Sequence, residues 1–248
     1  MSYKDKYIKY KLKYLDLCNV IIGGSNHEKK QAIEVINGND IKDKPEKQDK
    51  EDINLCYANV MSTEEEEILY QLIDIWNKVS EELDIKWSVC AGTYIGLKRN
   101  GGRIKWDDDF DLTIMKKDLS KIPNIKEKMS KYNVSVSKFA YYTFMGYKIF
   151  FNDSRGKVKF EKYGWNWPFI DIFTVDNSKE CNFLEDNEYP LQKVKFGKTN
   201  VFVYQNPTKN RRNVSDTKWM HEEFDTGYRH QKESYLSKRC DPRAISHK

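Results

Sequence analysis

Asp107, Asp109 and Asp111 take alternating positions in the run Trp106-Asp107-Asp108-Asp109-Phe110-Asp111-Leu112. In an extended chain successive side chains point to opposite faces, so three alternating carboxylates crowd one face while Asp108 and Phe110 point to the other. Carboxylates a few ångströms apart repel, and one of them must keep its proton unless a cation offsets the charge. Mg2+ takes hard oxygen ligands and commonly bridges carboxylates to substrate phosphates, so the chemistry these residues suggest is metal-assisted work on a phosphate. The apolar run Leu112-Thr113-Ile114-Met115 follows at once. That pattern reads as a buried strand with aspartates at its mouth rather than a solvated acidic turn.

The elements that must position these carboxylates are legible on either side. Ile85 to Ala91 reads as a short strand, Gly92-Thr93 as a tight exit, and Tyr94 to Arg99 as a short helix ended by Asn100-Gly101-Gly102. Strand, Gly-hydroxyl turn, helix and a second strand bearing Asp-x-Asp is similar to the organisation of polymerase-β-like nucleotidyltransferases. That resemblance implies an α+β fold with a mixed sheet flanked by helices. In it, Gly92 lets a donor phosphate approach the backbone, Thr93 and the amides at the helix start bind phosphate oxygens, and Asp109 and Asp111 hold Mg2+ or Mn2+.

Upstream, Ser62 or Thr63 is the expected N-cap of an amphipathic helix, with Glu64 to Glu67 in its first turn and Ile68, Leu69, Leu72, Ile73, Trp76, Val79 and Leu83 at helical spacing. Downstream, Lys116 to Tyr132 reads as a helix interrupted at Pro123, and Phe139 to Phe151 as paired strands with Tyr147, Ile149 and Phe151 on one face. Asp171 falls on a further expected strand. Trp167 and Phe169 read as core. Tyr163 and Trp165 flank Gly164, and Trp165 is placed to line a donor pocket, where an aromatic face can stack on cytosine or cover a quaternary ammonium.

Three motifs together resemble the LicD/fukutin family. The first is Gly92 to Leu112, with its Gly-Thr pair, the Leu-x-Arg-x-Gly-Gly turn and Trp-Asp-Asp-Asp-x-Asp. The second is Trp167-Pro168-Phe169-Ile170-Asp171-Ile172-Phe173, and the third is Tyr189 to Gly197, which is similar to the family's Pro-Leu...Phe-Gly segment. The resemblance spans about residues 60 to 235. It implies an enzyme, a phosphotransferase moving a phospho-alcohol such as phosphocholine or a polyol phosphate from a CDP-activated donor to a glycan hydroxyl. By the same resemblance Asp109 and Asp111 bind the metal, Asp107 is a neighbouring ligand or base, Asp171 is a third carboxylate and Arg99 contacts donor phosphate with its planar fork. Lys98, Asn100 and Lys105 depart from the family pattern and bear on donor and acceptor choice. The alternatives are transfer of a nucleoside monophosphate to a sugar phosphate, alcohol or protein, and a non-catalytic module that binds anionic surfaces.

The chain has 248 residues, of which 14% are aromatic and 33% charged, enough for one sizeable core. Its net charge of +5, from 43 basic and 38 acidic residues, suits an anionic nucleotide but lacks the segregation of a nucleic-acid binder. Tyr3, Tyr7, Tyr10, Tyr14, Leu17 and Ile21 recur at helical spacing among lysines, so residues 1–24 read as a basic aromatic leader able to make peripheral membrane contact. This leader resembles those on proteins of giant DNA viruses of amoebae, which implies a viral source, with host cytoplasm or virion as the location. Residues 25–52 read as a charged linker, 53–238 as the catalytic domain and 239–248 as a tail, with residues 1–52 dispensable for chemistry. No run approaches the roughly 20 apolar residues of a membrane span, and no secretory signal is evident. Cys18, Cys56, Cys90, Cys181 and Cys240 are odd in number and scattered, so the expectation is reduced thiols in an intracellular protein. His221 and His230 have no partner at metal-ligand spacing and read as surface residues. Ser215 or Asp216 is expected to cap a helix running to about Leu236, after a solvated Arg211-Arg212 turn.

Overall fold

Ser62 starts the first helix for a local reason. Its side chain accepts from the Glu65 amide while the Glu65 carboxylate accepts from the Ser62 amide, a reciprocal cap worth about 1 kcal/mol. The computed structural model describes residues 56–141, 144–175, 191–204, 222–223, 225, 227–236, 240 and 243–244. The leader, the linker, Arg211-Arg212, His221, Cys18 and Cys181 lie outside the described residues. Helix α1 spans Thr63–Glu82 and buries Ile68, Leu69, Leu72, Ile73, Trp76 and Val79 along one stripe.

Strand β1 (Trp87–Val89) leads into α2 (Ala91–Asn100), then β2 (Phe110–Met115). A 3-10 turn at Lys116–Lys121 precedes α3 (Ile122–Ser130). Pro123 therefore opens this helix instead of interrupting one, because a first-turn position has no amide bond to lose. Strands β3 (Val134–Tyr141), β4 (Phe144–Phe151), β5 (Val158–Phe160), β6 (Trp165–Trp167), β7 (Phe169–Val175), β8 (Leu191–Phe196) and β9 (Thr199–Tyr204) follow.

The main sheet has the order β1-β2-β7-β4-β3, with β2 and β7 parallel and the other neighbours antiparallel. Phe110, Leu112 and Ile114 of β2, Ile170 and Ile172 of β7, and Ile149 and Phe151 of β4 join Trp76 and Trp87 in one buried cluster with α1 and α3. The alternate residues of the same strands point the other way. That second face carries Asp111, Asp171 and Lys148.

The expected C-terminal helix is absent from the described residues. Short strands β11 (Tyr228–Arg229) and β12 (Ser234–Tyr235) form a hairpin instead, and β10 (Glu222–Glu223) pairs with β13 (Arg243–Ala244). A seven-residue spacing of aromatics fits two helical turns, but it also fits a hairpin in which Tyr228 pairs with Tyr235, their rings 4.8 Å apart. A second correction concerns the thiols. Cys56 and Cys240 are joined in a disulfide across a sequence separation of 184, while Cys90 is free and buried. Sequence spacing hid this pair because it is brought together by the fold alone. Beside it, buried Asp225 accepts from the amides of Tyr57 and Gly227 and from both terminal nitrogens of Arg229. Among the described residues, no helix is long and apolar enough to cross a membrane.

Candidate active site

The register of the sheet assembles the site. Lys148 on β4 stands opposite Asp171 on β7, and Asp171 stands opposite Asp111 on β2, so the three form one row across three strands. Lys148 Nζ lies 2.6 and 2.9 Å from the two Asp171 oxygens, both residues being buried. Asp109 reaches the same place from the residue before β2, and oxygens of Asp109, Asp111 and Asp171 lie within 4.8 Å of one another. All-oxygen donors at this spacing suit a hard divalent cation.

Asp107 arrives differently from the expected strand position. β2 begins only at Phe110, and Asp107 belongs to a turn in which its amide donates to the Ile104 carbonyl. Arg103 holds this turn from beneath, donating to the carbonyls of Ile104, Lys105 and Asp107 and to Asn59 Oδ1. The Asp107 carboxyl lies against Gly92, where an added Cβ would come within 2.7 Å of Oδ2. Gly92 is thus required by close approach to a carboxylate of the cluster. Burial, reinforced by Asp109 and Asp108, pushes the Asp107 carboxyl well above the usual range.

Gly92 and Thr93 lie in the first turn of α2, which starts three residues earlier than its expected beginning at Tyr94. Thr93 Oγ1 accepts from the Asp111 amide at 2.8 Å, so the hydroxyl ties the helix start to the aspartate strand. The first amides of a helix have no intrahelical acceptor, and here they open beside the carboxylates. Gly101 ends α2 in the left-handed conformation, φ 67°, and its carbonyl accepts from the Gly197 amide at 2.8 Å. A side chain at Gly197, φ 53°, would collide with the Tyr70 hydroxyl. The Phe-Gly of the third motif is therefore a packing contact with the turn of the first.

Arg99 is placed at the other end of α2 from Thr93, about 9 Å along the axis. Its Nε donates to Asn100 Oδ1 and its guanidinium lies 5.9 Å from the Trp106 ring centroid. Trp165 is half-buried on β6, 5.2 Å from Lys148 Nζ, and its indole donates to Glu233. Trp167 and Phe169 are core, as expected, and Trp167 Nε1 donates to the Asp108 carbonyl.

His230 corrects the expectation of a surface residue. Its Nε2 lies 3.1 Å from Asp109 Oδ2, at the turn of the β11-β12 hairpin. Asp108 fixes that hairpin by accepting from the Gln231 amide at 2.9 Å. Burial alone would lower the imidazolium, but Asp109, Glu233 and Asp108 outweigh it and raise His230 to about 10. Asp109 is raised to about 7, first by burial, with His230 opposing and Asp111 and Asp171 adding. The pair is best described as imidazolium facing carboxylate. Glu233, 3.8 Å from His230 Nδ1, is drawn to about 2 because the His230 and Tyr228 interactions outweigh its burial. Nothing in the sequence around His230 announced this; only the hairpin brings it in. Lys148 was hidden likewise, a lysine in an aromatic strand whose register partner was not readable.

A mixed sheet with a Gly-Thr helix start beside carboxylates on adjacent parallel strands defines an α+β, nucleotidyltransferase-like domain. Residues 84–206 match the LicD/FKTN/FKRP nucleotidyltransferase domain. It is 28% identical over 144 residues to the uncharacterized protein RP689 of Rickettsia prowazekii, covering 57% of this chain and 52% of that protein. It is also 29% identical over 135 residues to the lipopolysaccharide cholinephosphotransferase LicD of Haemophilus influenzae, covering 52% and 49%. The chain thus spans about half the length of these curated relatives. His230 and its hairpin lie beyond residues 84–206, which match the family domain.

Proposed function

We propose that the domain transfers a phospho-alcohol from a CDP-activated donor to a glycan hydroxyl, using Mg2+ or Mn2+ held by Asp109, Asp111 and Asp171. The observation that carries this reading is the convergence of those three carboxylates next to the opening turn of α2. The donor set fits the ion: three oxygen ligands are within reach of one centre, and a cation would offset the Asp111 and Asp171 charges that add to burial in raising Asp109. The cholinephosphotransferase among the relatives supports phosphoryl transfer onto a glycan.

The bound cation would offset charge on the donor diphosphate and on the departing CMP. The residues of the chain do the rest. Gly92 and Thr93 offer first-turn amides to phosphate oxygens, in a place where a side chain at position 92 would strike Asp107. Asp107, whose proton affinity is raised, takes the proton of the attacking hydroxyl. His230 holds the Asp109 carboxylate in orientation and contributes positive charge beside it.

Incubating the full chain with CDP-alcohols, a glycan pool and Mg2+ tests the reading. CMP release that stops in excess EDTA is the expected result. Pyrophosphate release from nucleoside triphosphates, with none of the CDP-alcohols consumed, would transfer the chemistry to nucleotidyl transfer.

A further inference from the structure

The face of the sheet that carries the carboxylates also carries an aromatic box, and the chain itself fills it. Lys148 Nζ lies 3.4 Å from the centroid of the Phe169 ring and 5.2 Å from those of Phe139 and Trp165. The walls are held in place. Gly146 gives the Phe139 ring its room, since a Cβ there would meet Phe139 Cζ at 2.5 Å. Trp165 is anchored through its indole to Glu233, and Tyr163 stacks on it at 5.1 Å while remaining 44% exposed. The same ammonium bonds both oxygens of Asp171, so the box opens directly onto the carboxylate cluster.

Three aromatic rings around a cation make the arrangement that recognises quaternary ammonium ligands. Here a trimethylammonium group would have to displace Lys148, which strips buried Asp171 of its partner, or lie beside a like charge at low dielectric. A hydroxyl brings no charge to repel, and its oxygen can accept from an ammonium proton.

We propose that Lys148 is a specificity residue that occupies the cation subsite of this domain, so that the donated alcohol is an uncharged polyol and not a quaternary ammonium alcohol. This rests on the phospho-alcohol transfer proposed above and narrows its donor. The full chain in Mn2+ is titrated calorimetrically with CDP, CDP-glycerol and CDP-choline. CDP-glycerol is expected to bind at least as tightly as CDP, and CDP-choline roughly tenfold more weakly, the inverse of a cation–π gain. CDP-choline binding as tightly as CDP-glycerol overturns the proposal.

A second measurement does not depend on cytidine nucleotides. The Trp165 indole N–H resonance, assigned by its loss in Trp165→Phe, should be insensitive to tetramethylammonium in the wild type and shift in Lys148→Ala. Lys148→Ala/Asp171→Asn, which leaves no orphaned charge, serves if the single variant does not fold. A shift in the wild type, or none in a folded variant, removes Lys148 as the occupant. Failure of all three cytidine compounds, with the tetramethylammonium result intact, overturns the transfer reading and the donor selection with it, and the two failures are thus told apart.

Discussion

His230 Nε2 and Asp109 Oδ2 meet at 3.1 Å although the aspartate precedes the second strand of the sheet and the histidine lies in the hairpin near the end of the chain. The histidine in turn faces Glu233, which is bound by Tyr228 and Trp165. A carboxylate, an imidazole and a second carboxylate in series form the kind of outer support that fixes the orientation of metal ligands. The hairpin therefore belongs to the site as much as the aspartate strand does.

Asp109→Asn and Asp111→Asn should each cut turnover by at least about a hundredfold, since a cation site that loses a charged ligand forfeits several kcal/mol in the transition state. Both variants should fold, and relief of like-charge repulsion should leave the cation-free melting temperature equal or higher. Steady-state rates with and without EDTA, beside thermal melts, check this. Wild-type turnover in either variant would exclude their role as ligands.

His230→Phe keeps a ring against Phe169, whose centroid is 5.3 Å away, but removes the donor to Asp109. Outer-support residues typically contribute 10- to 100-fold, so kcat or Mn2+ affinity should fall by roughly that factor. Calorimetric Mn2+ titration alongside kcat separates a binding loss from a rate loss. Unchanged values for both would make the contact incidental.

Asp153 supplies a pH dependence away from the chemistry. Hydrogen bonds from the Arg155 guanidinium, which also lies 3.7 Å from the Phe151 ring centroid, hold its carboxyl at about 2 despite some burial. A carboxyl depressed in the folded state stabilises the fold above its unfolded value, about 4, and that contribution disappears as pH falls through 2. Discounted for partial exposure, the pair contributes about 1 kcal/mol. Asp153→Asn should melt roughly 2–4 °C lower at pH 7, with the gap closing below pH 4. A gap independent of pH would assign the effect to something other than this charge.

Reduction should loosen the domain at the Cys56–Cys240 bridge. A disulfide closing a separation of 184 residues should contribute about 2–4 kcal/mol, so dithiothreitol or Cys56→Ser should lower the melting temperature by several degrees. Peptide mapping without reductant should recover the two cysteines linked. Identical melts with and without reductant would mean that the pair is not bridged.

What the sequence disclosed was whatever is local. The α1 cap and stripe, the Gly-Thr helix start, the Gly101 terminus and the apolar strand after Asp111 each depend on near neighbours in the chain. Asp171 was legible because its motif places it within a hydrophobic strand. His230 and Lys148 were not, because their partners are set by a hairpin turn and by strand register, which no short window encodes. The cysteines failed for the same reason: scattered positions along the chain say nothing about two residues that folding places side by side. The start of β2 at Phe110 shows the converse error, in which a valid alternation pattern was extended through a turn stapled by Arg103.

The row Lys148–Asp171–Asp111 ties assembly of the carboxylate cluster to the register of the strands. Side chains alternate along a strand, so a slip of one residue in β7 would present Ile170 or Ile172 to the carboxylate face and drive Asp171 into the apolar cluster. Such a misaligned intermediate would orphan Lys148 and forfeit core packing together. Assembly of the carboxylate cluster and completion of the core are therefore one event along the folding route, and the proposed Mn2+ binding should be gained during refolding on the same time course as burial of Trp76 and Trp87.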